Sequence, residues 1–167
     1  MSDTVGFIGL GTMGMPMTTN LSKAGVRLVV YDESPNATAD ARLLTGVTVV
    51  ESPAQVAAQS DVLFSCLPNN DIVMGVYLEA GGVILGGRPG LVTCDCSTVS
   101  PEVTVKVAVA LKAKGITHMD TPMLGSQPQA VSGEIFFIVG GAEDKVAKVN
   151  PYLEIMGKLN MYVGGTG

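Results

Sequence analysis

The chain of 167 residues is poor in the residues on which many kinds of site depend. It has no tryptophan, one histidine and three cysteines, and only 15% of its residues are charged. Ten basic against fifteen acidic residues give a net charge of −5 without a basic stripe, so no nucleic-acid partner is expected. No apolar run approaches the roughly 20 residues of a transmembrane helix, so no membrane association is expected.

The few cysteines and the single histidine favour structural roles. Cys66, Cys94 and Cys96 lie in or beside apolar runs. An odd cysteine count fits a reducing compartment and, with no basic leader before the first strand, predicts a cytoplasmic protein. No second Cys or His pair accompanies Cys94 and Cys96, so buried thiols rather than a metal site are expected. His118 is expected to be a strand-end residue and not a general base.

What the chain does contain is glycine, and three glycines follow its first apolar run. Residues 4–8 have strand character, a G-x-G-x-x-G turn follows, and apolar residues then recur at helical spacing. This context is what a dinucleotide-binding fingerprint requires. Gly9 would allow a tight turn, Gly11 would leave room for a pyrophosphate, and Gly14 would let the helix pack on the sheet. With the free N–H groups of the helix N-terminus, the predicted cofactor contacts here are Gly9, Leu10, Gly11, Thr12, Met13 and Gly14.

A carboxylate ends the second strand-like run. Asp32 follows Gly14 at a spacing typical of the acid that binds the ribose hydroxyls on the adenine side of a dinucleotide. The alternative is a turn residue ahead of Ser34. With Glu33 beside it, Asp32 favours NAD over NADP, because a 2′-phosphate would meet a carboxylate rather than an arginine.

Strands alternate with helices through the rest of the chain. Three helices are predicted to begin at serine–proline pairs, and residues 61–67 are apolar enough for a parallel strand covered on both faces. Residues 81–90 are expected to form turns and residues 120–134 a long loop. The pattern predicts one α/β domain over residues 1–167, with a doubly wound, mostly parallel Rossmann-type sheet.

These motifs resemble the β-hydroxyacid dehydrogenase family, which includes 3-hydroxyisobutyrate dehydrogenases, tartronate semialdehyde reductases and glyoxylate/succinic semialdehyde reductases. The opening G-F-I-G-L-G-T-M-G-M-P-M (6–17) is close to the family's cofactor signature, and L-P-N (67–69) looks like its second cofactor loop. D-C-S-T-V-S-P (95–101) matches its D-x-S-T-x-S-P segment. A-x-x-G (130–133) and V-G-G (139–141) match the stretch after its substrate loop.

The resemblance implies hydride transfer between a nicotinamide cofactor and a short 3-hydroxy acid or its semialdehyde, so the partner would be a small carboxylic acid. Ser97 would hold the carboxylate and hydroxyl of that substrate. Four further cofactor contacts are implied, namely Leu67, Pro68, Asn69 and Thr98. Without the family pattern, Ser97 and Thr98 would be interpreted as a capping turn before the next helix.

The chain departs from the family pattern in the substrate loop. The family has D-A-P-V-S-G-G where residues 120–126 read D-T-P-M-L-G-S, so Leu124 replaces a serine and Ser126 a glycine. Gly125 still allows close backbone approach. These three residues are the predicted substrate contacts of the loop, but with one hydroxyl lost they do not specify which acid binds.

A second departure concerns the proton donor. The family's catalytic lysine follows a glycine-rich turn that leads into an interdomain helix and an all-α second domain. Residues 164–167 look like that turn, so the resemblance puts the lysine beyond Gly167 and leaves both the lysine and the second domain out of this chain. Lys158 is expected to be solvated. The expectation is an inactive, monomeric domain from a homo-oligomeric parent.

Two alternatives stay open. One is a non-catalytic dinucleotide-binding or assembly module on the same fold, which a parent sequence without the lysine would favour. The weaker alternative is a domain for another adenosine ligand, such as S-adenosylmethionine. Ser97, Thr98 and the Leu67-Pro68 loop argue against that ligand through the family match alone.

Overall fold

The computed structural model describes residues 3–167, which form nine strands and eight helices. The strands are β1 Thr4–Ile8, β2 Arg27–Tyr31, β3 Val47–Val49, β4 Val62–Ser65, β5 Val92–Asp95, β6 Thr117–Asp120, β7 Met123–Leu124, β8 Ile135–Gly140 and β9 Gly157–Gly164. The helices are α1 Gly14–Lys23, α2 Pro35–Ala41, α3 Pro53–Ala58, α4 Asn70–Leu78, α5 Val83–Gly86, α6 Pro101–Lys112, α7 Gln127–Ser132 and α8 Glu143–Met156.

All nine strands belong to one sheet. The first six are parallel and lie in the order β3-β2-β1-β4-β5-β6, which is the order of a dinucleotide-binding sheet. Beyond β6, strand β8 runs antiparallel to β6 and β7 and parallel to β9. The predicted α/β fold with a doubly wound, mostly parallel sheet is confirmed.

Helices cover both faces of the sheet because neighbouring strand residues point to opposite sides. Phe7 of β1 packs in a cluster with Met17 of α1 and Leu153 of α8. The next residue, Ile8, packs on the other face with Tyr77 of α4 and Leu111 of α6. Within the described residues no helix is long and apolar enough to cross a bilayer.

The prediction of a long loop over residues 120–134 is wrong. Strand β7 pairs with β8 in this stretch, and α7 follows. The helix is favoured by a capping box, in which the side-chain oxygen of Gln129 accepts hydrogen bonds from the N–H and the hydroxyl of Ser126 at 2.9 and 2.6 Å. Gly133 then ends the helix in the left-handed region at φ +71°. The glycines and prolines of residues 120–134 favour a loop in the sequence, and this preference masked the capping box.

The predicted turns over residues 81–90 also contain a short helix, α5. It packs against α3 so closely that a Cβ on Gly86 would overlap the carbonyl oxygen of Ala54. The N–H of Ala54 donates to the carbonyl of Gly81 at 2.8 Å, which ties the two segments together. Four apolar residues between glycines are too few to give a periodic helix signal.

Candidate nucleotide-binding site

A cavity of about 810 Å³ opens beyond the carboxyl ends of β1, β2, β4 and β5. This is the crevice where the strand order reverses, and the volume suits a small-molecule or cofactor site. Its walls include residues 9–14, 31–33, 66–68 and 96–98, with the exception of Leu10, which is buried and does not line it.

The three glycines of the first turn meet different surroundings. Gly9 has φ +93°, in the left-handed region, and a Cβ there would overlap the carbonyl oxygen of Cys66. A Cβ on Gly14 would overlap the carbonyl oxygen of Gly9 and lie 3.2 Å from the ring of Phe7. A Cβ on Gly11 would meet no atom within 4 Å. Gly9 and Gly14 therefore allow close packing inside the protein, whereas Gly11 leaves open space in the cavity wall.

The N-terminus of α1 faces this open space. No side chain caps the helix, whose first residue, Gly14, lines the cavity together with Thr12 and Met13. The N–H of Met15 already donates to the carbonyl of Gly11 at 3.0 Å, and Pro16 has no N–H, so the helix dipole and the N–H groups of the turn before the helix are what favours an anionic group such as a pyrophosphate.

Asp32 both shapes the turn and lines the cavity. Its Oδ2 accepts the N–H of Leu10 at 2.6 Å, and its Oδ1 accepts the N–H of Ser34 at 2.7 Å. The turn role considered as an alternative is therefore present. A carboxylate has about four lone-pair positions, so half-buried Asp32 keeps acceptor capacity for ribose hydroxyls.

Helix α4 forms a wall of the cavity that the sequence interpretation missed. The residues of this wall recur along one helical face: Asp71, Ile72, Gly75, Val76 and Glu79, the last at the helix end. The recurrence at i, i+4 and i+8 after the 67–69 loop, with a glycine inside the helix, was the available signal. Asn69 lies outside the cavity wall. Its side-chain oxygen instead accepts the N–H of Ile72 at 3.0 Å and caps α4.

A buried carboxylate lies beneath the β4 and β5 end of the cavity. The Oδ1 of Asp95 accepts hydrogen bonds from the hydroxyls of Ser65 and Ser97 at 2.8 and 2.6 Å, and from the N–H of Ser97 at 3.2 Å. Its Oδ2 is buried and has no partner among the described residues. Burial raises the pKa of Asp95, while the hydrogen bonds from Ser97 and Ser65 act in the opposite direction.

The hydroxyl of Ser97 also holds the neighbouring loop, because it accepts the N–H of Leu67 at 2.8 Å. Leu67, Pro68, Ser97 and Thr98 all line the cavity, so the structure brings these predicted residues together with the glycine turn. Two of the three predicted residues after β6, Gly125 and Ser126, are exposed and lie outside the cavity wall. Leu124 is 60% exposed and also lies outside it, whereas its neighbour Met123 lines the cavity.

The thiols at the site are neutral at physiological pH. Cys66 and Cys96 line the cavity, and burial, with a smaller contribution from Asp95, raises the pKa of Cys66 to about 12. A neutral thiol is a poor nucleophile and metal ligand. Cys94 is buried, and all three cysteines are free. The described residues contain no group of His, Cys, Asp or Glu side chains arranged to hold a metal ion.

The single histidine and the lysine considered earlier lie away from the cavity. Burial lowers the pKa of His118 to about 3, and its Nδ1 lies 2.8 Å from the hydroxyl of Thr93. Lys158 is exposed and 3.8 Å from Glu134. In the described part of the chain no lysine or arginine lines the cavity.

Residues 4–165 match the sequence profile of the NAD binding domain of 6-phosphogluconate dehydrogenase. The chain belongs to this family. The matched residues include the complete glycine turn, Asp32, and the segments after β4 and β5 that form the cavity. An NAD-binding oxidoreductase domain with a Rossmann-type sheet, as expected from the sequence, is therefore confirmed.

Individual relatives of this NAD-binding domain are hydroxyacid dehydrogenases. The 2-(hydroxymethyl)glutarate dehydrogenase of Eubacterium barkeri is 40% identical over 163 residues, which are 98% of this chain and 54% of that protein. The mitochondrial 3-hydroxyisobutyrate dehydrogenase of Mus musculus is 38% identical over 98% of this chain and 48% of its own length. The expected resemblance is confirmed, and the chain spans about half the length of the curated relatives it matches.

Solved structures agree with this assignment. The 3-hydroxyisobutyrate dehydrogenase of Mycobacterium tuberculosis, with L-serine, superposes with a TM-score of 0.93 and 31% identity, over 99% of this chain and 56% of that chain. A second structure, Psf3 in complex with NADP+ and 2-OPP, gives a TM-score of 0.91 and 25% identity over 97% of this chain and 57% of its own. The second of these proteins therefore binds NADP+ on a related fold.

Proposed function

We propose that this chain is the cofactor-binding domain of an NAD-dependent dehydrogenase that transfers a hydride between NAD and a short 3-hydroxy acid or its semialdehyde. The observation that carries the proposal is a single cavity that joins the uncapped N-terminus of α1 to Asp32. A helix N-terminus suits the pyrophosphate, and a carboxylate at the end of β2 suits the ribose hydroxyls. The hydroxyacid dehydrogenases among the relatives supply the substrate class.

The residues divide by their position along the cavity. Gly11, Thr12 and Met13 would contact the pyrophosphate, with Gly9 and Gly14 shaping the turn behind them. Leu67, Pro68 and Thr98 would lie on the nicotinamide side. Five other residues were predicted as ligand contacts but lie outside the cavity wall, namely Leu10, Asn69, Leu124, Gly125 and Ser126. The cavity does not support their roles, which stay predictions.

The preference for NAD follows from the acidic edge of the cavity. Asp32, Glu33, Asp71 and Glu79 line it, and no basic side chain of the described residues does. The 2′-phosphate of NADP carries additional negative charge beside the ribose that Asp32 would bind. Like charges in contact cost free energy and discriminate against the wrong ligand.

Calorimetric titration of the purified chain with NADH and NADPH tests this proposal. We expect NADH to bind at least about tenfold more tightly, since tenfold corresponds to about 1.4 kcal/mol. Asp32→Ser should reduce the ratio of the two affinities. The ratio is the readout, because damage to the turn through the lost Leu10 contact would weaken both cofactors alike.

Asp40→Ser is the matched control, because it removes the same charge from an exposed position on α2 outside the cavity. The NADH to NADPH ratio should not change in this variant. Equal or tighter binding of NADPH by the unaltered chain would overturn the preference. A failure to bind either dinucleotide would overturn the proposed function itself.

We further propose that this chain alone gives negligible turnover and that the catalytic lysine and an all-α domain belong to its parent. Hydride transfer to a carbonyl needs a proton donor at the forming alkoxide, and no lysine of the described residues lines the cavity. Steady NADH oxidation by this chain with a short semialdehyde would contradict the assignment. The non-catalytic module is the alternative, and turnover by the parent would exclude it. A monomeric state and a cytoplasmic location stay predictions.

A further inference from the structure

The hydrogen bonds around Asp95 determine whether a hydroxyl in the cavity wall can donate or accept a hydrogen bond. We propose that Asp95 is a positioning residue that binds the proton of the Ser97 hydroxyl, so that this hydroxyl can only accept a hydrogen bond from a group in the cavity. Ser97 then pairs with an N–H or O–H donor of the ligand and not with a carboxylate. The inference rests on the proposed function. The candidate donors are the amide N–H of the nicotinamide carboxamide and the hydroxyl of a hydroxy acid.

The proton of Ser97 is already committed. A serine hydroxyl has one proton and two lone pairs. The hydroxyl of Ser97 donates to the Oδ1 of Asp95 at 2.6 Å, which is the shortest of the three hydrogen bonds to that oxygen. Charge-assisted O–H···O⁻ bonds of this length are among the stronger ones in proteins. Turning the proton toward the cavity would break this bond inside a buried site.

One lone pair of Ser97 is also committed. The N–H of Leu67 donates to the Ser97 hydroxyl oxygen at 2.8 Å, so the second lone pair is the only hydrogen-bonding capacity that remains. Ser97 is 4% exposed and lines the cavity. A ligand group beside this hydroxyl can therefore donate to it but cannot receive a proton from it.

The same carboxylate orients a second chain of hydroxyls. Ser65 donates to Asp95 at 2.8 Å, so its oxygen must accept from the hydroxyl of Tyr77, which lies 2.7 Å away. Burial raises the pKa of Tyr77, so its hydroxyl keeps the proton that it donates. The hydroxyls of Ser65 and Ser97 thus both donate to Asp95, and that of Tyr77 donates to Ser65. A substrate carboxylate at Ser97 would find no hydroxyl proton there and would lie near a second carboxylate, which disagrees with the role implied by the family resemblance.

The test compares two dinucleotides that differ only in this donor. In reduced 3-acetylpyridine adenine dinucleotide a methyl group replaces the carboxamide NH2, while the carbonyl oxygen is kept. We expect the unaltered chain to bind NADH about tenfold more tightly than the analogue, as for one hydrogen bond left unmade. In Ser97→Ala the two affinities should agree within about twofold, because the acceptor is gone.

Ser60→Ala is the matched control. Ser60 is buried like Ser97, and its hydroxyl donates to the carbonyl of Val56 at 2.6 Å, but it lies outside the cavity. This variant should keep the tenfold preference. General damage to the fold would weaken both dinucleotides together and would leave their ratio unchanged.

Two changes at Asp95 separate positioning from a general structural role. Asp95→Asn keeps an oxygen that can accept from both serines, so the preference should be retained. Asp95→Ala frees the Ser97 proton to donate to the carbonyl oxygen of the analogue, so the preference should fall. If Asp95→Ala does not fold, Ser97→Ala and Asp95→Asn still decide the question.

A second arm identifies the source of the donor. With NADH bound, 3-hydroxyisobutyrate and isobutyrate are titrated into the unaltered chain and into Ser97→Ala. The substrate hydroxyl is the donor if the chain prefers 3-hydroxyisobutyrate to isobutyrate, loses this preference in Ser97→Ala, and does not discriminate between the two dinucleotides. If neither preference depends on Ser97, or if Ser97→Ala weakens isobutyrate, the inference is overturned. An unaltered chain that does not bind NADH would overturn the proposed function and the inference with it.

Discussion

Residues 9–14 and residues 120–126 are two glycine-containing segments that both resemble ligand-contacting loops, yet they differ in how the protein holds them. In the first, Gly9 and Gly14 fit against backbone carbonyls of the same domain, and the turn lines the cavity. In the second, Leu124 and Ser126 are exposed, and Ser126 caps a helix of its own. A turn whose shape is set by contacts within the domain is recognisable from its glycines. A loop whose role depends on side chains meeting a ligand is not.

The largest effect expected from this comparison is the loss of stability in Gly14→Ala. The new methyl group would overlap the carbonyl oxygen of Gly9, so α1 must move away from β1. Such overpacking typically costs about 1–3 kcal/mol, and more where backbone must shift, so we expect about 3 kcal/mol. Urea unfolding followed by circular dichroism measures it.

The control for Gly14→Ala is Gly165→Ala, because a Cβ at Gly165 would meet no atom within 4 Å. We expect its free energy of unfolding to remain within about 0.5 kcal/mol of the unaltered value. If Gly14→Ala were equally harmless, packing within the domain would not be what shapes the first turn.

A change in binding without a change in stability is expected for Gly11→Ala. Its added methyl group would enter open space, so the free energy of unfolding should change by less than about 0.5 kcal/mol. The same methyl group would occupy the approach of the pyrophosphate to the backbone. We therefore expect NADH affinity, measured by calorimetry, to fall about tenfold. An unchanged affinity would place the pyrophosphate elsewhere in the cavity.

The smallest effect is expected in the second segment, from Ser126→Ala. Loss of a helix cap typically costs about 1 kcal/mol, and α7 is short and exposed, so we expect that value or less in urea unfolding. NADH affinity should not change, because Ser126 lies outside the cavity wall. Ser132→Ala, at the other end of α7, is the control for loss of an exposed hydroxyl. Weaker NADH binding in Ser126→Ala alone would show that the two segments are not independent.

Most of the fold could be predicted from local patterns. Apolar runs, serine–proline helix starts and the spaced glycines are local signals, and they predicted the parallel sheet and the segments at its carboxyl edge. Asp32 was also predictable, because its distance from the glycine turn is set by one helix and one strand. Its contacts with Leu10 and Ser34 come from the same local geometry.

Other parts of the site depend on tertiary contacts that no local pattern contains. The α4 wall follows from how that helix lies over the sheet, and only its helical spacing was visible in the sequence. The Asp95 network joins residues from β4, α4 and the segment after β5, so the direction of each hydrogen bond emerges only when these elements pack. Ser97 was predictable as a site residue, but the direction of the hydrogen bonds at its hydroxyl was not.

The position of β1 in the sheet has a consequence for synthesis on the ribosome. The glycine turn and Asp32 precede β4 in the chain, but β1 pairs on one side with β4, and Gly9 packs against the carbonyl of Cys66 just after that strand. A nascent chain that ends before Val62–Ser65 therefore carries the whole phosphate fingerprint without the strand that supports it. A ligand stabilises only the state that binds it. During synthesis, NAD is thus expected to stabilise the native turn only once β4 is available to pair with β1.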